Sequence, residues 1–120
     1  MLGILEMTLS TENWRAQIRK GYLELCILLL IRENQRLYGF EILERLGVFA
    51  LPLKEGTLYP LLNRMTTDGV LSSVWETEGN KGHPRKFYSL TKEGRRFLDE
   101  MTEEFDSMVK IYQAVGRKVK

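Results

Sequence analysis

The sequence predicts a mainly α fold with one small β-hairpin: a winged helix-turn-helix followed by a long C-terminal dimerisation helix. Three stretches of the 120 residues predict it. The segment from Lys54 to Met65 carries apolar residues at Leu58, Leu61, Leu62 and Met65, the stripe of a short helix buried along one side. Two β-type runs follow, Val70–Thr77 and Arg85–Thr91, joined by a tip of Gly79, Asn80, Lys81, Gly82, His83 and Pro84 that is rich in turn formers. Beyond them, Leu98, Met101, Phe105, Met108, Tyr112, Val115 and Val119 keep an alternating three-and-four spacing, a heptad seam.

In order along the chain, residues 1–11 form a weakly apolar arm, and Ser10 or Thr11 caps a first helix with Glu12 in its first turn. That helix runs to about Glu33, with Trp14, Ile18, Tyr22, Leu25 and Leu29 at helical spacing. Its second half, Cys26–Ile31, is apolar all round and therefore buried on more than one side. Asn34 to Arg36 is a turn. A second short helix covers Tyr38 to Leu46, with Phe40, Leu43 and Leu46 or Ile42 pointing inward and Gly47 closing it. The third helix begins between Glu55 and Thr57, because Pro60 lacks an N–H and tolerates only the first turn or so. Asp68-Gly69 ends it. After the hairpin, Thr91 caps the last helix. The domains divide accordingly: a flexible arm over 1–11, a winged-helix DNA-binding domain over 12–91 and a dimerisation helix over 92–120.

Composition sets bounds. A hydrophobic share of 43% and a charged share of 28% are ordinary for a globular protein, and a net charge of +2 proves no partner. The distribution is more telling. Lys81, Arg85 and Lys86 gather on the wing, while Asp99, Glu100, Glu103, Glu104 and Asp106 gather on the last helix. The lone Cys26 excludes a disulfide framework and reads as a packed small hydrophobe. The apolar run around it is about ten residues long, short of the roughly 18 needed to cross a bilayer. No secretion signal precedes it, so a cytoplasmic protein is expected. The one histidine, His83, lies in the hairpin tip, and no nucleophile–histidine–acid set, metal spacing or phosphate loop occurs. An enzyme is not expected, and no cofactor or metal is called for.

The outward residues of the third helix, Thr57, Tyr59, Asn63, Arg64 and Thr67, suit DNA. Arg takes guanine bidentately, Asn takes adenine, and Tyr and Thr reach phosphates or a thymine methyl. A solvated helix face has the same composition; the adjoining wing, whose Lys81, Arg85 and Lys86 suit phosphate, favours DNA. Trp14 and Trp75 read first as core residues. Met101, Phe105, Met108 and Tyr112 read as packing against a second copy, or as a flat surface for a planar ligand.

Taken together, YGFEIL (38–43), EGTLYPLLNRM (55–65), DGVL (68–71) and HPRKFYSLTKEG (83–94) resemble the PadR-type winged-helix transcriptional repressors, a likeness extending over about residues 12–115. The resemblance implies a homodimer centred on the C-terminal helix and binding double-stranded palindromic operator DNA. It places Tyr38 at the opening of the second helix, Thr57, Tyr59, Asn63 and Arg64 on the reading helix, and Lys81, Arg85 and Lys86 on the wing. It puts Phe105 where drug-binding members carry a pore-lining aromatic, so that Trp14, Ile18, Leu98, Met101, Phe105, Met108 and Tyr112 make a combined dimer and ligand surface. A planar aromatic or cationic small molecule is the implied effector. The wing tip KGHPRK departs from the paired glycines or prolines of many members. Two rival functions use the same features: a winged-helix protein-interaction module, and a drug-sequestering protein with weak DNA binding.

Overall fold

The computed structural model describes residues 9–77 and 82–116. Most of the arm, Gly79, Asn80 and Lys81 of the wing tip, and Val119 of the seam lie outside the described residues. Helix α1 spans Glu12–Asn34. Of the two capping candidates, Ser10 makes the bond: its Oγ accepts the Glu12 N–H at 3.1 Å. Leu23, Leu25, Ile27, Leu28 and Ile31 are buried, so the all-apolar second half runs through the centre of the molecule, as its composition requires. Gln35, in the left-handed region at φ 70°, ends the helix.

A two-residue strand, β1 (Leu37–Tyr38), follows. Nothing this short shows an alternating pattern, and Tyr38, expected to open the next helix, lies in this strand instead. Helix α2 instead spans Gly39–Val48, and the Glu41 carboxylate turns back to accept the Tyr38 N–H at 3.1 Å. Ile42 and Leu46 are buried, but Phe40 is 54% exposed, contrary to expectation. Phe40 stands a little over half a turn from Ile42, and both cannot face the core. Gly47 lies inside the helix rather than closing it. Closure comes from Ala50 at φ 59°, with Leu51 N–H bonded to Leu46 O at 2.9 Å and Ala50 N–H to Gly47 O at 3.0 Å. This is the double bond pattern of a Schellman motif.

Helix α3 spans Glu55–Thr67, beginning where Pro60 allowed. Pro60 sits in the second turn, and the residue four before it is Gly56, which carries no side chain beside the crowded carbonyl. Leu58, Leu62 and Met65 are buried and Leu61 half-buried. A second Schellman motif ends α3: Gly69, at φ 84°, donates to Thr66 O, and Val70 N–H reaches Met65 O at 2.9 Å.

Strands β2 (Leu71–Glu76) and β3 (Arg85–Leu90) pair antiparallel from Leu71 opposite Leu90 to Glu76 opposite Arg85. Strand β1 joins the free edge of β3, giving the order β1-β3-β2. Helix α4 spans Lys92–Gly116 and is capped by Thr91, whose Oγ1 accepts the Gly94 N–H at 2.8 Å. The core joins Ile31 and Leu28 of α1, Ile42, Leu46, Leu58 and Leu62 of the next two helices, Tyr88 of the sheet and Leu98 of α4.

Candidate nucleic-acid interface

Three buried residues of α3 lie along one side, so the opposite side is its exposed ridge. At 3.6 residues per turn that ridge centres on Gly56, Pro60, Asn63 and Thr67, all exposed. The two small or ring-closed residues among them carry no long side chain, which lets another surface come close to the helix backbone. Their place at the middle of the ridge was readable only after the buried side had been fixed by Leu58, Leu62 and Met65.

The predicted reading residues separate into flanks. Thr57 is exposed on one side of the ridge. Tyr59 lies on the other, its ring against α2: a Cβ added at Gly39 would come within 2.2 Å of the Tyr59 hydroxyl oxygen. Burial, and secondarily the Glu55 carboxylate, push the Tyr59 phenol above its ordinary pKa, so it stays a neutral hydrogen-bonding group. Asn63 stands on the ridge. Arg64 is engaged elsewhere: its guanidinium forms an ion pair with Glu24 of α1, and Asp68 lies 3.8 Å away. The spacing along α3 could not reveal a partner 40 residues earlier in the chain.

The wing residues divide by strand alternation. Arg85, Phe87 and Tyr38 share the outer face. Tyr38 meets Phe87 edge-on at 5.3 Å between centroids, and the Arg85 guanidinium lies 4.7 Å from the centre of the Tyr38 ring. On the same face Arg36 clasps Glu76 through two bonds of 2.6 and 2.8 Å and lies 4.1 Å over Phe87. The hydrogen-bonded Arg36 guanidinium holds the Glu76 carboxyl below its usual range. Lys86 occupies the opposite face, which packs on α3, with its ammonium 5.7 Å from the ring centres of Trp75 and Tyr88. Trp75 is no core residue; it is 62% exposed. Lys81 lies outside the described residues.

The second predicted surface joins α1 and α4. Leu98 is fully buried, Met101 and Phe105 are half-buried, and Phe105 stacks obliquely on Tyr22 with ring centres 5.8 Å apart. Past that contact the seam opens to solvent, with Met108, Ile111, Tyr112 and Val115 exposed. Ile18 is also exposed, and Trp14, 63% exposed, is not a core residue either. A broad groove of about 1060 Å³ lies beside this surface, between α1, the end of α2 and the α2–α3 connector. Tyr22, Cys26 and Leu29 line it on one side, Arg45, Phe49 and Leu51 on the other. Burial raises the Cys26 thiol above its ordinary value, in keeping with a packing role. Among the described residues there is no cluster of histidine, cysteine or carboxylate side chains able to hold a metal, and no helix is long and apolar enough to cross a membrane.

Comparison with known proteins agrees with this fold. A PadR-like transcription factor from Bacteroides fragilis superposes with a TM-score of 0.73 at 39% identity, covering 86% of this chain and 98% of its own. A PadR family transcriptional regulator from Eggerthella lenta gives a TM-score of 0.78 at 26% identity, covering 99% of this chain and 100% of its own. An uncharacterized protein of Lysinibacillus sphaericus is 31% identical over 100 residues, 81% of this chain and 90% of its own. The profile of the transcriptional regulator PadR-like family matches residues 27–100, from the buried half of α1 through the winged helix into α4. With the family profile matched over more than half of the chain and the fold shared with solved PadR-like structures, the chain belongs to the PadR-like family of transcriptional regulators.

Proposed function

We propose that this regulator is a homodimeric repressor that binds a palindromic duplex operator and is released by a planar aromatic or cationic small molecule. The observation that carries the DNA reading is the exposed α3 ridge, centred on Asn63, lying beside a wing that presents Lys86 on the face packed against α3. Asn63 and Thr57 read base edges, Tyr59 supports the helix from Gly39, and the wing supplies phosphate contacts. Arg85 and Tyr38, on the outer face of the sheet, steady the wing. Repression follows from occupancy of the promoter at two half-sites. The effector would lie between α1 and α4, where Tyr22, on the helix that carries exposed Trp14, and Phe105 already form an aromatic step.

Salt dependence tests the DNA reading. Affinity for duplex DNA should fall with log salt by about 0.9 log units for each phosphate contacted. A protein-interaction module would show weak duplex binding and no such slope. For the effector, tryptophan emission should be quenched by planar cationic dyes, and Phe105→Ala should weaken that response; an unchanged emission across dyes and phenolic acids would remove the ligand from the mechanism.

A further inference from the structure

The inner face of the wing carries a feature that phosphate binding by lysine and arginine leaves unused. Strand register puts Leu90, Tyr88 and Lys86 of β3 on one face, opposite Leu71, Ser73 and Trp75 of β2. Toward the α3 side this face is closed: Leu71 and Tyr88 are buried, and burial together with the neighbouring Tyr59 raises the Tyr88 phenol. One pair further out, the face opens and ends in an exposed indole beside an ammonium. Tyr59 of α3, Tyr88, Lys86 and Trp75 thus form a row leading from the helix out along the wing.

We propose that Trp75 is a DNA-binding residue, laying its ring on the sugar–phosphate wall beside the groove that receives α3. The proposal rests on the duplex-DNA reading above. Three observations favour a nucleic-acid backbone as the occupant. Among the described residues no carboxylate pairs with Lys86, whose contacts are the Trp75 and Tyr88 rings, so its charge remains available to an anion. The row also starts at Tyr59 of α3, next to Tyr88, so it adjoins the helix that the duplex would occupy. An indole offers a flat apolar face for deoxyribose and one N–H for a phosphate oxygen, and the neighbouring cation stays oriented by the ring. Such a contact adds affinity without reading sequence.

The test uses the full chain with Trp14→Phe, which leaves Trp75 as the sole tryptophan, titrated with a mixed-sequence DNA duplex while anisotropy of the labelled duplex reports binding. Trp75 emission should change in step with binding. In the wild-type background, Trp75→Ala should weaken binding roughly tenfold with an unchanged salt slope, whereas Lys86→Gln should flatten the slope by about 0.9. Trp75→Phe should recover part of the affinity, and circular dichroism melting of each variant reports its folding. Duplex binding with constant Trp75 emission, and equal affinity for Trp75→Ala, would overturn the role of Trp75 while leaving the DNA reading intact. Absence of any salt-dependent duplex binding by the wild type would overturn both. Should Trp75→Ala fail to fold, the emission of the intact indole decides alone.

Discussion

At the scale of single residues, backbone geometry yields the sharpest expectations. Ala50 closes α2 at φ 59°, where an L side chain is disfavoured by about 1–2 kcal/mol and glycine is not. Ala50→Gly regains that strain but frees the unfolded chain, so a net gain of about 0.5–1 kcal/mol should appear in urea denaturation. Gly94 has the opposite character. A Cβ there would stand 2.0 Å from the carbonyl oxygen of Val70, a backbone atom held by the Thr91 N–H at 3.1 Å. Gly94→Ala should therefore cost about 2–3 kcal/mol, loosening the junction of wing and α4. On α3, Asn63 and Arg64 are neighbours in sequence and unlike in setting. Asn63→Ala should cost about 1–3 kcal/mol on the operator and less on random duplex. Arg64→Ala should instead show most of its effect in thermal melting, because Glu24 on α1 loses its partner. Equal and specific operator losses for both variants would return Arg64 to the reading surface.

At the scale of elements, what was legible depended on whether a pattern had enough residues to repeat. Helices α1, α3 and α4 carry several turns of apolar spacing, and their limits at Glu12, Glu55 and Thr91 were marked by capping residues or by Pro60. Strand β1 has two residues and exists because β3 offers a free edge, a tertiary fact absent from local sequence. The two tryptophans were misplaced for a related reason. Size and apolarity favour burial on average, but Trp14 precedes the packed half of α1 and Trp75 lies one pair beyond the covered part of the sheet. The clasp between Arg36 and Glu76, 40 residues apart, was equally out of reach. That clasp links the start of β1 to the end of β2 and gives the wing a pH response. Because Arg36 lowers the folded-state pKa of Glu76, its contribution is present above the ordinary carboxylate value and is lost as pH falls through the lowered folded value. Amide exchange in β2 and β3 should quicken over that acid range in the wild type. Glu76→Gln should exchange faster already at neutral pH and lose the acid dependence; identical profiles would show that the clasp does not hold the wing.

At the scale of the molecule, α4 runs beyond the part of the chain that covers it. Its 25 residues span about 37 Å, and only its first half is covered by its own chain. Leu98 is in the core, Phe105 rests on Tyr22, and from Met108 onward apolar side chains face water, as Trp14 and Ile18 of α1 also do. The first helix covers less of the seam than its spacing had promised, ending at Tyr22, so more surface is left for a partner. An apolar stripe left open on a monomer invites a partner, and a two-fold partner would cover it with an identical patch. The same symmetry would set two α3 ridges about 34–36 Å apart, the repeat of successive major grooves. Met101 is packed against the core, so substituting it would confuse folding with association. Met108 and Ile111 are exposed within one chain and are the sharper probes. Met108→Glu with Ile111→Glu should leave circular dichroism and melting of the winged helix nearly intact. A buried pair of carboxylates costs several kcal/mol at an interface and little on an open surface. Analytical ultracentrifugation at low micromolar concentration should then give twice 14.0 kDa for the wild type and a single 14.0 kDa species for the variant, with operator affinity falling steeply. A wild type that sediments at 14.0 kDa while still binding operator tightly would dissolve the two-half-site mechanism and leave each α3 ridge to act alone.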